Sequence, residues 1–480
     1  MNFCGLSLCA ECSGQKAFSL PTAIKYLWAH FSDSTMKLWD KGYEPEAAIE
    51  AFTVGQDRIL DLRLAPWDIL GTLAHIDMLN HIDLLEDEEL PVLQKALQRL
   101  YEQVIAGDFE IEEGVEDIHS QVELILTREL GDIGKKIHSG RSRNDQVLVD
   151  LKLYFKAEIE ETVKLVDELF TTLQSLSEKH KEVLLPGYTH LQVAMPSSFG
   201  VWFGAFAENL VEDLLLWQAA YQTSDRNPLG SAAGYGSSFP LDRQRTTDLL
   251  GFSTLHYNVV NAQMSRGRAE KTIAFAIAGL AGTLNRLAMD VCLYMSQNFG
   301  FITFPDRLTT GSSIMPHKKN PDVFELVRGH CARLQALPGE LSNLSSNLPT
   351  GYHRDMQLLK EVLLPAWDRL KDCLQITNYM LQHVEVREGI IQDERYDYLF
   401  TVEEVNRLVL SGVPFREAYK QVGGAVESGT YQPNREVEHQ HLGSIGNLAT
   451  EHIKAQHQTV RSGFQFEALH RAVEKLLGKA

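Results

Sequence analysis

Apolar residues recur three or four positions apart along most of the chain, the spacing of helices with one buried face. Ala47, Ile49 and Phe52 begin the pattern, and Ile59, Leu60 and Leu64 carry it on. Leu70, Leu73, Ile76 and Leu79 extend it, with short breaks, toward Leu100. Pro91 stands at a helix start, ahead of Leu93, Leu97 and Leu100. Residues Glu116 to Ser120 open another helix that runs through Leu130. From Val147 to Leu184 there is neither Gly nor Pro. Leu148, Leu151, Phe155, Ile159, Val163, Val166, Phe170, Leu173 and Leu176 hold the period throughout. A helix of that length spans on the order of 50 Å, which points to a bundle. Pro186 and Gly187 are read as ending it. Further long helical patterns cover about 197–223 and 266–297. Another starts at Pro321 with a bend expected near Pro338, and one more covers about 356–384, interrupted or bent at Pro365. Shorter helices are expected over 402–410 and 415–422. Strand signals are few, and no strand–helix alternation is visible. The expected fold is all-α, built on roughly five long helices. Breaks near 142 and 393 divide it into an N-terminal helical domain (36–142), a central long-helix bundle domain (143–392) and a small C-terminal helical domain (393–480). Residues 1–35 do not conform to the pattern. They read as an extension, either a disordered tail or residues upstream of a natural start at Met36.

Three dense polar stretches interrupt the helical pattern. His138 to Gln146, HSGRSRNDQ, precedes the longest helix, and paired arginines among small residues suit bidentate carboxylate or phosphate binding. A capped helix start with solvated charges accounts for the same residues equally well. Tyr188 to Pro196, YTHLQVAMP, places Thr189, His190 and Gln192 on a break read as a connector between two helices. Thr309 to Asp322, TTGSSIMPHKKNPD, gathers hydroxyls, two lysines, a histidine and an asparagine on a Gly/Pro-marked loop. That set can grip a carboxylate and move a proton beside it; a polar surface loop is the plainer alternative. Each stretch abuts a long helix. Connectors of one antiparallel bundle can lie at opposite ends, so their meeting would require subunits of an oligomer.

Composition narrows the classes. The formal net charge is −19 and no Lys/Arg-rich tract is present, which disfavours a nucleic-acid surface. The most apolar uncharged stretch, between Lys271 and Arg286, is shorter than the roughly 20 residues a membrane span needs. Cys292, Cys331 and Cys373 are scattered singly through helical patterns, as in a reducing compartment, and a cytoplasmic location is expected. Cys9 and Cys12 form a CxxC without a second ligand pair, so no metal site is expected.

GSSIMPHKKNPD resembles the signature loop of the fumarase/aspartase superfamily, whose members perform eliminations that release fumarate. HSGRSRNDQV, PGYTHLQ and DVFELVRG resemble, within it, the argininosuccinate lyase family, over about Met36 to Val422. The resemblance implies a mainly helical three-domain subunit and a homotetramer whose active sites draw on three subunits. It implies a small-molecule substrate, no metal and no organic cofactor. By the same resemblance Ser312 is the base, with Ser313 as the alternative, and Lys318 and Asn320 hold the substrate carboxylate and the intermediate. His190 is the proton donor and Glu325 the carboxylate that orients it. Thr189, Arg143, Asn144 and His119 match substrate-binding positions, and Tyr352, Gln357 and Lys360 match those for the arginine end. Asp57 stands where a substrate-binding serine aligns. His317 replaces a glutamine, and Leu358 and Leu359 stand where acidic residues are usual. Another fumarate-releasing enzyme, such as an adenylosuccinate lyase, is the alternative that His317 favours and the SRND string disfavours. A non-catalytic crystallin-like relative is the alternative outside enzymes; it should lack a catalytic group, yet Ser312, His190, Lys318 and Glu325 are all present.

Overall fold

The computed structural model describes residues 47–479; the expected extension over 1–35, with Cys4, Cys9 and Cys12, lies outside them. The described chain opens with α1 (Ala47–Val54), α2 (Asp57–Asp61), α3 (Ala65–His81) and α4 (Glu89–Ala106), followed by α5 (Ile118–Leu130) and the single turn α6 (Asp132–Lys135). Ile69, Leu73 and Ile76 of α3, Leu93 and Leu97 of α4, and Val122 and Leu126 of α5 form one buried cluster. The 3.6-residue spacing read from the sequence is what brings those side chains onto facing stripes.

The longest helix, α7 (Arg143–Lys179), starts four residues earlier than the Gly/Pro-free run suggested. Ser142 caps it: its hydroxyl accepts from Asn144 N at 3.3 Å, and Asp145 accepts from Ser142 N at 2.8 Å. This capping box satisfies two backbone N–H groups that the helix leaves open. The second oxygen of Asp145 accepts from Gly230 N and Ala232 N, at 2.9 and 2.8 Å. The Gly/Ser/Pro-rich connector is thereby tied to the start of α7.

The helix ends at Lys179, and the segment beyond it is not a connector between helices. Strands β1 (Leu184–Thr189) and β2 (Gln192–Ser198) form an antiparallel hairpin. His190 and Leu191 are its two-residue tip, both with positive φ (54° and 59°), the geometry of a tight hairpin turn. No Asn-Gly or Asp-Gly announces that turn, which is why the sequence did not reveal it. Gly187 sits at an irregularity in the register; a Cβ there would lie 2.7 Å from Met195 O.

The bundle is completed by α8 (Phe199–Ser224), then, after β3 (Arg226–Asn227), α9 (Arg243–Leu249), β4 (Thr254–Leu255) and α10 (Val259–Met264), by α11 (Arg268–Met295). β5 (Ile302–Thr303) precedes α12 (Asp322–Leu344), α13 (Leu358–Leu381) and β6 (Glu385–Val386). In order, α7, α8, α11, α12 and α13 pack each on the next, and α13 closes the ring against α7. Pro338 and Pro365 lie inside α12 and α13, which continue through them. The ring closes on aromatic rings: Trp367 stacks on Phe155 at 6.0 Å and meets Trp217 at 5.8 Å. The Trp367 indole N–H donates to Thr162 Oγ1 at 2.8 Å. Gly279 of α11 faces Leu216 of α8, where a Cβ would come within 2.7 Å of the leucine methyl. Val259–Met295 is apolar enough, by length and composition, to cross a membrane, but half of its most apolar window is buried inside the protein. In the fold, α11 packs between α8 and α12 within the bundle.

Beyond the bundle, α14 (Thr401–Leu410) and α15 (Phe415–Glu427) share a small cluster of Val405, Ala418 and Val422. Two helices that the sequence did not single out, α16 (Thr450–Arg461) and α17 (Phe466–Leu476), return to the bundle. His457 stacks on Phe170 of α7 with centroids 4.0 Å apart, and Arg461 bonds Asp167 at 2.8 Å.

Candidate active site

The first turn of α7, the first turn of α5, α2 and the entry to α13 enclose a cavity of about 130 Å³. Asp57, His119, Arg143, Asn144, Tyr352, Gln357 and Lys360 line it, as do Asp61, Glu116, Asp117, Val147, Arg266 and Arg354. None of the second set was assigned to the site from the sequence, although Arg354 stands with Tyr352, Gln357 and Lys360 in the polar entry GYHRDMQLLK of the last long helical pattern. Asp61 was legible, since it lies one helical turn from Asp57 on the same face. Glu116 and Asp117 were read only as a helix opening, which Asp117 also is: its side chain accepts from Ser120 N at 2.8 Å. Of the two arginines in HSGRSRNDQ, Arg141 points away from the cavity into the core, where it bonds Thr72 Oγ1 at 3.0 Å, and only Arg143 faces the cavity.

Every Lys and Arg of this cavity is already paired. Arg143 contacts Asp117 and lies 3.1 Å from Glu116, and Arg354 also contacts Glu116. Those two arginines hold Glu116 below the usual carboxylate range, against the opposing effect of its burial. Lys360 lies 2.8 Å from Asp57 and 2.5 Å from Asp61. Burial, and the charge of Asp61, raise Asp57 above its ordinary value in spite of that lysine. Arg266 pairs with Glu270 at 2.8 Å. Gln357 donates to Thr53 O and Val54 O, both at 3.0 Å, which seats the entry of α13 against the end of α1. His119 Nε2, the Asn144 amide and the Tyr352 hydroxyl have no hydrogen-bond partner among the described residues, and they are the uncommitted polar groups of the wall.

Ser312, Thr189, His190, Lys318, Asn320 and Glu325 do not line this cavity. Thr189 and His190 are exposed at the hairpin tip, and Glu325 is exposed in the first turn of α12. His190 and Glu325 share no hydrogen bond or ion pair within one chain. The loop between β5 and α12 is pinched by a bridge between Thr310 and Asn320, with Asn320 N donating to Thr310 O at 2.9 Å. Inside it the Ser312 hydroxyl accepts from Ile314 N at 3.3 Å and Met315 N at 3.2 Å. Donors converging on an oxygen favour its anionic form. Ser313 accepts no such bond. The two lysines differ as well: Lys319 pairs with Asp306, while Lys318 has no carboxylate partner among the described residues.

Comparisons with known proteins bear on this arrangement. Residues 51–336 match a family described as lyase. The chain is 60% identical over 441 residues to the argininosuccinate lyase of Parabacteroides distasonis, covering 92% of this chain and 99% of that protein. It is 58% identical to the argininosuccinate lyase of Bacteroides thetaiotaomicron over 443 residues, with coverage of 92% and 99%. The argininosuccinate lyase of Thermotoga neapolitana is 39% identical over 386 residues, 80% of this chain and 97% of that one. Among solved structures, EDDS lyase in complex with formate superposes with a TM-score of 0.68 at 21% identity, covering 91% of this chain and 96% of that one. A fumarate lyase:delta crystallin from Brucella melitensis superposes with a TM-score of 0.65 at 16% identity, covering 89% and 94%. At those identities the structures speak to the fold, which this chain shares.

Proposed function

The chain belongs to the argininosuccinate lyase family of the fumarase/aspartase superfamily, and from that premise we propose how its residues divide the reaction. The enzyme is a carbon–nitrogen lyase that cleaves argininosuccinate to L-arginine and fumarate, a step of arginine biosynthesis. The observation that carries the proposal is the separation of the cavity from the reactive groups. One chain supplies a self-neutralised cavity, and its loop, hairpin tip and Glu325 stand apart from it, outside its lining.

In this reading the cavity holds the amino-acid end of the substrate, with carboxylates for its cationic groups. The loop and hairpin tip act on the succinyl end. Ser312, as the alkoxide, removes a proton from the carbon beside a succinyl carboxylate. The electron pair moves into that carboxylate, where Lys318 and Asn320 balance the added charge. As the double bond of fumarate forms, the C–N bond breaks, and the guanidino nitrogen takes a proton from His190. Glu325 orients His190, and Thr189 contacts substrate beside it. The two backbone N–H groups on Ser312 Oγ support it, rather than Ser313, as the base. The unpaired ammonium of Lys318 supports it, rather than Lys319, as the carboxylate holder.

That one chain does not unite these groups supports a site composed across subunits of the proposed homotetramer. Leu215 on α8, Phe275 on α11 and Leu326 on α12 are 51%, 58% and 65% exposed, an apolar surface on the bundle that suits helices of other subunits. The protein is proposed to work in the cytoplasm, without nucleic-acid or membrane partners.

Fumarate release, read by absorbance with argininosuccinate and adenylosuccinate supplied in parallel, tests the assignment. Release from argininosuccinate alone is expected. Release from adenylosuccinate alone, or from neither by folded protein, contradicts it.

A further inference from the structure

Behind the cavity wall lies a buried polar cluster for which the elimination chemistry gives no reason. Asp68 on α3, His119 on α5 and Asp150 on α7 are 0%, 6% and 0% exposed. Asp68 Oδ1 accepts from His119 Nδ1 and from Gln146 Nε2, both at 2.7 Å. Asp150 Oδ2 lies 3.4 Å from the same Nδ1. Neither oxygen of Asp150 has a hydrogen-bond partner among the described residues, nor does Asp68 Oδ2. A buried carboxylate with no partner is costly as an anion and tolerable as a neutral acid. Asp150 is accordingly held well above the usual carboxylate range, first by burial and then by the charge of Asp68. Asp68 is held low: burial opposes ionisation, but His119 and Arg141 outweigh it. Burial also opposes a charge on His119, and Asp68, hydrogen-bonded to the ring, overcomes it together with Asp61 and raises the ring's pKa. The groups facing the ring are therefore Asp61, Asp68, Asp150 and Gln146, with Arg141 as the opposing cation; burial and the charge of Arg141 push His138 down to about 4, so it is neutral there.

The consequence faces the substrate. With Nδ1 taken by Asp68, the other ring nitrogen is free, and His119 lines a cavity whose four Lys and Arg side chains are each already bound to a carboxylate. We propose that His119 works as an imidazolium that donates Nε2–H to an anionic group of the substrate, and that Asp68 is the positioning residue that fixes its charge and ring orientation. Asp150 completes the cluster as a neutral acid, which leaves Asp68 and Asp61 as the buried anions that face the ring. The inference rests on the proposed placement of the amino-acid end in this cavity and adds a pH-dependent binding group to it. The sign comes from the raised pKa. His119 is charged below it, and substrate affinity falls as pH rises through it.

The experiment compares KM and kcat from pH 6 to pH 9 for wild type, Asp68→Asn and His119→Gln, with argininosuccinate. For Asp68→Asn, KM near pH 6 is expected within a few-fold of wild type. By pH 8 it should rise about tenfold, the scale of one lost charge-assisted hydrogen bond, because the ring loses its proton at lower pH. His119→Gln should show a raised KM without that pH step. A uniform rise at every pH for Asp68→Asn, or a wild-type pH step retained in His119→Gln, overturns the proposal. Titration of 13C-labelled histidine rings in the same proteins reads the His119 charge without turnover. A ring neutral at pH 7 in wild type also overturns it, whereas a charged ring in a protein that releases no fumarate would fault the assigned reaction instead.

Discussion

Lys360 carries one positive charge between two carboxylates, Asp57 and Asp61, and all three are nearly or wholly buried. By resemblance its position is proposed to hold the arginine end of the substrate. The geometry shows a second task, that of keeping two acids apart in a desolvated wall. Removing one partner from a buried ion pair leaves an uncompensated charge. Lys360→Ala is therefore expected to lose stability at pH 7 by about 3–5 kcal/mol, measured by denaturant unfolding at fixed protein concentration. The deficit should shrink as pH falls and the stranded carboxylates take up protons. A loss confined to activity would contradict this account. The same residues show what a sequence conveys. Asp57, His119, Arg143, Asn144, Tyr352, Gln357 and Lys360 were singled out by their resemblance to a known family, and the fold brings all seven to one cavity. Their pairing was not legible. Neither Asp61 nor Glu116 belongs to a dense polar stretch, and which acid neutralises which cation is decided by helices far apart in the chain.

Among the elements, the helices were the most legible and the hairpin the least. An apolar stripe of three- and four-residue spacing fixed α7, α8, α11, α12 and α13 to within a few residues at most ends. The ends that moved did so for local reasons. The Ser142–Asp145 capping box draws Arg143 into α7 and so aims it at the cavity. At the other end, the segment after Lys179 pairs with the one before Phe199 instead of continuing as helix. The hairpin matters because it carries Thr189 and His190 at its tip. Gly187, opposite Met195 O, sets its bend, and a methyl group there would press on backbone rather than on a movable side chain. Gly187→Ala is expected to shift the tip and lower kcat by about a hundredfold, the cost of misplacing a catalytic group by roughly 1 Å. Sedimentation should show the assembly unchanged. Near-normal kcat would mean that the hairpin does not position the proton donor.

At the scale of the molecule, the fold keeps the cavity apart from the residues proposed for the chemistry. The cavity sits where α2, α5, α7 and the entry to α13 converge, while the serine loop, the hairpin tip and Glu325 face outward. Leu215, Phe275 and Leu326 are exposed on the bundle, the surface on which the proposed partner subunits would bring those parts together. Separation of this kind cannot be read from one sequence, because a motif names its residues without saying which chain completes them. The most direct measurement mixes two inactive variants, His190→Asn and Ser312→Ala, by co-refolding, and tracks fumarate release from argininosuccinate. If the two groups of a site come from different subunits, random assembly pairs a native His190 with a native Ser312 in about one site in four, and activity should return to about that fraction of wild type. Mixtures that form hybrid assemblies yet stay as inactive as the separate variants would contradict a shared site.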